Sequence, residues 1–289
     1  MLWNLIVNLI LILFFGRFDS TAVTNNVPIV SLKPNVKETI IGAQCGAVLA
    51  GQDRSFFYSK NADEVQPIAS ITKLMTALVF LENNPGWETT YEVTPADKVE
   101  GGRLNLFTGD NVRIKDVFYT SLVASDNGAT LALVHATGLD ETEFVKKMNV
   151  KAKQLGLNKT QFIDPIGLSD NNVSTAREVA FLAKAALNQK EIRQATERKE
   201  YNFTTLEGKA KKVESTDYLL FDPANNSFQV LGGKTGYTDK AGYCFVGRFK
   251  DQSGQEIISV ILNSSGKNER FKESKALVNW VFQSYNWFK

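Results

Sequence analysis

The sequence predicts an α/β protein of the α+β type, with an antiparallel sheet built from both ends of the chain and an all-helical lobe inserted between them. Three observations lead there. Short apolar runs bounded by turn residues lie near residues 44–59 and return between 228 and 263, whereas the stretch from about Ser70 to Leu187 follows a helical period. A chain of 289 residues that is 43% hydrophobic and 22% charged carries enough apolar material for a sizeable core.

The elements follow in order. Residues 44–50 are apolar and 55–59 aromatic, with Gly51-Gln52-Asp53 between them, so the pair reads as an opening hairpin. Helices are expected over 71–81, 114–124, 129–136, 141–155 and 176–187. Strands over 228–236, 242–249 and 257–263 are separated by Asp239-Lys240 and by residues 251–254, as a meander requires. A last helix over 271–287 sets Phe271, Leu277, Val278, Val281, Phe282 and Tyr285 at helical spacing to cover one sheet face.

Ahead of the folded part, residues 2–15 are apolar except for Asn4 and Asn8. Fourteen residues rise about 21 Å as a helix, short of a roughly 30 Å hydrocarbon core. That length suits the apolar region of a secretory signal cleaved after Ala22, with Ser20 and Ala22 as the small residues. No Lys or Arg precedes the run, which keeps an uncleaved membrane anchor and an amino-terminal core helix open. The expected organisation is a signal peptide or anchor over 1–22, a linker over 23–40 containing Pro28 and Pro34, and a folded domain over 41–289. In that domain the sheet lobe spans about 41–70 and 200–289 and the helical lobe about 71–199. An extracytoplasmic location follows from the leader.

Rare residues exclude several chemistries. Lys plus Arg number 33 against 31 Asp plus Glu, a net charge of +2 with no footprint for nucleic acid. The one histidine, His135, lies in a helix-like apolar stretch and reads as packed or partly exposed, which removes a Ser-His-Asp triad. The two cysteines, Cys45 and Cys244, sit in apolar surroundings and read as buried free thiols. Zinc-type spacing is absent, and neither metal nor cofactor is expected.

Three short motifs fall where the lobes meet, the favoured place for a small-molecule cleft. Ser70-Ile71-Thr72-Lys73 opens a helix, and the i, i+3 spacing puts hydroxyl and amine on one face. A lysine serves as base to a serine when burial or a neighbouring cation lowers its pKa, and a helix start offers backbone N–H groups to an oxyanion. Ser125-Asp126-Asn127 joins two helices; its hydroxyl suits a proton relay, and its carboxamide suits orienting the lysine and a substrate amide. Gly232-Gly233-Lys234-Thr235-Gly236 closes a strand, where glycines let another backbone approach and Lys234 and Thr235 offer a cation and a hydroxyl to a carboxylate. Lys234 would also depress the pKa of Lys73. Singly the motifs are common: Ser264-Ser265-Gly266-Lys267 and Ser169-Asp170-Asn171 repeat the first two and read as caps or turns.

In this order the trio resembles that of the penicillin-recognising serine hydrolases, and most closely the low-molecular-mass D-alanyl-D-alanine carboxypeptidases of peptidase family S11. The resemblance runs from about Val36 to the C-terminus and includes residues 67–76, 149–157, Asp164-Pro165-Ile166-Gly167-Leu168 and residues 234–243. It implies a β-lactamase/transpeptidase-like fold and an acyl-enzyme formed on peptidoglycan pentapeptide stems. By the same resemblance Ser70 is the nucleophile, Lys73 the general base and Ser125 the proton relay, while Asn127 positions substrate. The backbone N–H groups of Ser70 and Tyr237 line the oxyanion hole beside Gly236, and Lys234, Thr235 and Arg270 hold the terminal carboxylate; a surface ion pair is the alternative for Arg270. β-Lactam antibiotics would act as covalent inhibitors. The order Ser125-Asp126-Asn127-Gly128 departs from the usual Ser-Gly-Asn-Asp of that family, and its middle Asp is more typical of β-lactamases, yet no Glu-x-x-x-Asn deacylation loop lies between the second and third motifs. A D,D-endopeptidase cutting cross-links uses the same residues and stays open; a β-lactamase and a non-catalytic peptidoglycan-binding relative are the lesser readings. Any membrane attachment falls to the N-terminal segment. Mass measurement of the mature protein is expected to find a chain starting at Val23; an intact Met1 would select the anchor instead.

Overall fold

The computed structural model describes residues 30–51, 54–99, 104–222 and 227–287. The apolar leader, the site after Ala22, the first part of the expected linker and the turn residues Gln52 and Asp53 lie outside the described residues. Within that expected linker, Ser31–Leu32 pairs antiparallel with Tyr285–Asn286, which ties this part of it to the end of the chain.

A five-stranded antiparallel sheet runs in the order Phe228–Thr238, Gly242–Asp251, Glu256–Ser264, Cys45–Ala50, Phe56–Lys60. The N-terminal hairpin docks on the C-terminal meander through pairs such as Val260 with Ala47, so both chain ends build one sheet. Both faces are covered, which is why these strands read as apolar runs instead of alternating ones. Ile257 and Ile261 face helix α7 (Glu269–Ser284), where Leu277, Val278 and Val281 are buried with Phe245 and Phe249. Ile258, Val260 and Leu262 face the opposite way, into a core shared with the helices of the insert. Each such side chain stabilises by roughly 1.5–3 kcal/mol through the area it removes from water.

The insert carries α1 (Lys73–Glu82), α2 (Ile114–Val123), α3 (Asn127–Ala136), α4 (Glu141–Gln154), α5 (Ala176–Asn188) and α6 (Lys190–Thr196). Helix α1 is buried at every position from Lys73 to Phe80, so it forms the axis of the lobe. The lobe is mainly and not wholly helical. Thr90–Glu92 pairs with Asn111–Arg113, Gln66–Pro67 with Val173–Ser174, and a separate hairpin joins Glu200–Thr204 to Ala210–Glu214. That hairpin is apart from the main sheet and packs on α2, with the Tyr201 ring stacked 4.4 Å from that of Tyr119. Three-residue ladders fall below what periodicity detects, and α6, at two turns, is equally short.

Both cysteines are buried free thiols, pushed up to about 11 first by burial. His135 is partly exposed at the far end of α3 from Asn127, its Nδ1 2.6 Å from Asp97 Oδ1, in keeping with a non-catalytic histidine.

One glycine fixes how the insert meets the first motif. Gly167 has φ +86, and a Cβ built there would fall 2.2 Å from the Ala69 carbonyl oxygen, beside Ser70. Gly208 has a similar φ of +84 with nothing within 4 Å. Gly208→Ala therefore carries backbone strain alone, about 1 kcal/mol, while Gly167→Ala adds a backbone collision and is expected to cost about 3 kcal/mol or more. Thermal unfolding of the two variants checks this; equal falls in Tm would contradict it.

Candidate active site

The first motif begins in strain. Ala69 has φ 46, outside the range usual for a residue with a Cβ, and opens a 3-10 turn, Ala69–Thr72, that runs straight into α1. The turn leaves Ser70 half-buried at the cleft and drives Lys73 inward to 0% exposure. There the amine has three partners: Ser70 Oγ at 2.8 Å, Asn127 Oδ1 at 2.7 Å and the Ile166 carbonyl oxygen at 2.6 Å. Burial lowers its pKa to about 7, against the opposing pull of the Asp126 and Asp164 carboxylates. A neutral amine has two N–H bonds and one lone pair. Two partners, Ile166 O and Asn127 Oδ1, can only accept, so they take the two N–H bonds and the lone pair is left for the Ser70 hydroxyl.

The second motif sits at the α2–α3 junction, where Ser125 has φ 59. Its hydroxyl lies 2.6 Å from Lys234 Nζ, which also donates to the Thr235 carbonyl at 3.0 Å. Asp126, between the two functional side chains, is structural. Fully buried, it caps α3 by accepting from Ala129 N and holds Asn105 through that residue's backbone and side-chain N–H groups. Burial pushes its carboxyl up. The exchanged order of this motif has a packing reason as well, because a Cβ at Gly128 would lie 3.0 Å from the Asp97 carbonyl oxygen.

The third motif ends the edge strand of the sheet. Sequence reasoning gave its glycines to an incoming peptide, but the structure uses all three for internal contacts, a Cβ at Gly232 falling 2.3 Å from Thr196 Oγ1. A Cβ at Gly236 would lie 2.7 Å from the Ile68 carbonyl oxygen and 3.2 Å from Ser70 N, and one at Gly233 would lie 2.7 Å from the Val246 carbonyl oxygen. The Gly236 approach brings Tyr237 beside the nucleophile. Lys234 is held well below the usual lysine range by burial, then by the positive charges of Lys73 and Arg270. Burial, and not Lys234, is the leading cause of the Lys73 shift. Thr235 Oγ1 donates to Thr216 Oγ1 at 2.7 Å.

Arg270 is 4% exposed at the start of α7, which removes the surface ion pair. Its Nη1 donates to the carbonyl oxygens of Gly236 and Cys244 at 3.0 and 3.2 Å, so it braces the backbone of the third motif while lining the same cleft. Ser70, Ser125, Asn127, Thr235, Gly236 and Tyr237 line that cleft together, which extends past Thr216 to Tyr218 and Lys267. Lys73 and Lys234 lie beneath it. All the side chains expected from sequence therefore converge.

Sequence reasoning missed three contributors. The Ile166 carbonyl acts through backbone and leaves no side-chain signal; Asp164, which accepts from Ile166 N and Ser169 N, shapes that turn. Lys267 was set aside with a repeated motif yet reaches the cleft rim, 5.0 Å from the Tyr218 ring centroid. Asp217 belongs to no motif.

A helix-start serine bonded to a buried lysine, faced by a serine–lysine pair that bridges the two lobes, defines a penicillin-recognising serine hydrolase. A family model described as D-alanyl-D-alanine carboxypeptidase, peptidase S11, matches residues 35–266, and the chain belongs to that family of serine peptidases. It is 36% identical over 224 residues to a D-alanyl-D-alanine endopeptidase of Haemophilus influenzae, covering 75% of each chain. Over 252 residues it is 32% identical to the D-alanyl-D-alanine carboxypeptidase DacF of Bacillus subtilis, covering 83% of this chain and 62% of that one. A solved structure of penicillin-binding protein D2 from Listeria monocytogenes, in a cefotaxime-bound form, superposes with a TM-score of 0.74 at 31% identity, covering 86% of this chain and all of the other.

Asp126→Ala strips the cap of α3 and strands the N–H groups of Ala129 and Asn105, a loss of about 2–3 kcal/mol. Asp126→Asn keeps an acceptor at the cap and is expected to lose less than half as much. Chemical denaturation separates the two; equal losses would mean that charge, not capping, is the role of Asp126.

Proposed function

We propose that this D-Ala-D-Ala carboxypeptidase hydrolyses peptidoglycan pentapeptide stems through an ester on Ser70, with Lys73 as base. The observation that carries this is the set of three contacts around Lys73 Nζ, which leaves its lone pair directed at the Ser70 hydroxyl. As Ser70 Oγ attacks the carbonyl carbon of the penultimate D-alanine, its proton passes to Lys73. The developing oxyanion takes hydrogen bonds from Ser70 N and Tyr237 N. Ser125 gives its hydroxyl proton to the departing D-alanine nitrogen, Lys234 stabilises the oxygen left behind, and the proton on Lys73 restores the hydroxyl. Water, deprotonated by Lys73, then attacks the ester carbonyl, and Lys73 returns that proton to Ser70 Oγ as the Oγ–C bond breaks and the stem leaves.

Asn127 aligns the substrate amide in this scheme, and Lys234 and Thr235 receive the terminal carboxylate. Arg270 adds positive charge behind them and holds Gly236 in place. A β-lactam presents the same reactive carbonyl and carboxylate and would acylate the same serine. The substrate places the reaction outside the cytoplasm, with any membrane attachment through the N-terminal segment; among the described residues no helix is long and apolar enough to cross a membrane.

Cleavage of cross-links is the second reading. It is favoured by the extension of the cleft past Thr235 to Thr216, Tyr218 and Lys267, room on the leaving-group side for more than a single D-alanine.

A fluorescent penicillin is expected to label the wild type, while Ser70→Ala and Lys73→Ala lose labelling by a factor on the order of 10³ or more. An unlabelled wild type would overturn the acyl-enzyme scheme. With labelling established, release of D-alanine from a synthetic pentapeptide is the expected activity; cleavage of a cross-linked dimer without such release would select the endopeptidase.

A further inference from the structure

Behind the carboxylate-binding end of the cleft lies a buried acid that the scheme above leaves unused. Asp217 is 2% exposed and begins a short 3-10 turn, Tyr218–Phe221, where its Oδ1 accepts from Leu219 N at 2.9 Å. Among the described residues, its Oδ2 has no hydrogen-bond partner. The segment is fixed on both sides: Thr216 N donates to the Val123 carbonyl, Ser215 N to the Lys199 carbonyl and Asp217 N to Ser215 Oγ. Gly233, one residue before Lys234, makes room for the free oxygen, since a Cβ there would sit 3.1 Å from it. A carboxyl held this tightly with an empty acceptor is destabilising unless charge nearby compensates.

The compensating charges come from two other elements. The positive charges of Arg270, at the start of α7, and of Lys234, next to Gly233 on the edge strand, act on Asp217; both side chains are buried, and the Arg270 Nε is a second buried atom without a partner among the described residues. Tyr218, Tyr243 and the Cys244 thiol are the titratable groups around Arg270, and Lys73 is the further cation that acts on Lys234. The acids divide accordingly. Asp126 and Asp164 act on Lys73, whereas Asp217 opposes the burial and repulsion that discharge Lys234.

We propose that Asp217 is a positioning residue, the buried counter-charge that keeps Lys234 a cation for the substrate carboxylate while Lys73 gives up its proton. The inference rests on the acyl-enzyme reading and deepens it by assigning opposite charge states to the two lysines. Burial raises the Asp217 carboxyl to about 7, so above that pH it is ionised and supports Lys234. Removing it lowers the pH at which Lys234 discharges. Asp217→Asn keeps an acceptor for Leu219 N and removes only the charge; Asp217→Ser keeps an acceptor in a smaller side chain.

The test is the rate of Ser70 acylation by a penicillin, which bears the carboxylate, followed from pH 6 to pH 10 in the full chain. In both variants the alkaline limb is expected to move to lower pH by about one unit, with an increase in the concentration needed for half-maximal rate and little change in the maximal rate at pH 6. A merely structural role would lower Tm and leave the limb in place. A limb that coincides with the wild type in whichever variant folds overturns the proposal while the acyl-enzyme reading stands. A wild type that is not acylated at all overturns both.

Discussion

Everything in this cleft depends on an amine kept out of water. Lys73 could act as a base only if its charged form is costly, and the cost comes from burying it completely at the first residue of a helix that is itself encased in apolar neighbours. Three separate parts of the chain make that burial tolerable by offering one hydrogen-bond partner each: the 3-10 turn with the Ser70 hydroxyl, the start of α3 with Asn127, and the 164–168 turn with the Ile166 carbonyl. Two of these parts meet over a glycine, Gly167 against Ala69, and the third motif meets them over another, Gly236 against Ser70. Backbone strain at Ala69 and Ser125 is concentrated at the same junctions.

The second lysine shows how one fold separates two like groups. Lys73 and Lys234 are both buried; burial discharges each, and the charge of Lys73 adds to the effect on Lys234. Their surroundings differ in the acids that face them and in their oxygen partners: Lys73 meets Ser70, Lys234 meets Ser125. In the proposed chemistry that difference gives one lysine a proton to accept and the other a charge to keep, in place of the single histidine, which sits elsewhere paired to Asp97.

The parts legible in the sequence are those in which side-chain identity carries the role. Ser70, Lys73, Ser125, Asn127, Lys234 and Thr235 announce themselves through residue type, order and position at lobe junctions, and the covered strands through unbroken apolar runs such as Cys45–Ala50. What was hidden acts through backbone or through third dimensions alone. The Ile166 carbonyl has no sequence signature, the hairpin at Glu200–Thr204 was not read as strands and its stretch was grouped with the sheet lobe, and Asp217 becomes meaningful only beside the charges of Arg270 and Lys234. Arg270 was legible as a residue and incomplete as a role, since its bonds to Gly236 and Cys244 make it a brace.

The central claim is that Lys73 is neutral when it acts. The most direct measurement is the acid limb of Ser70 acylation by a penicillin, taken from pH 5 to pH 8 in the wild type. A neutral base with a pKa lowered to about 7 requires the rate to level off near that pH and to fall about tenfold for each unit below it. A rate that stays flat from pH 8 down to pH 5 would contradict the account and remove Lys73 from the base role.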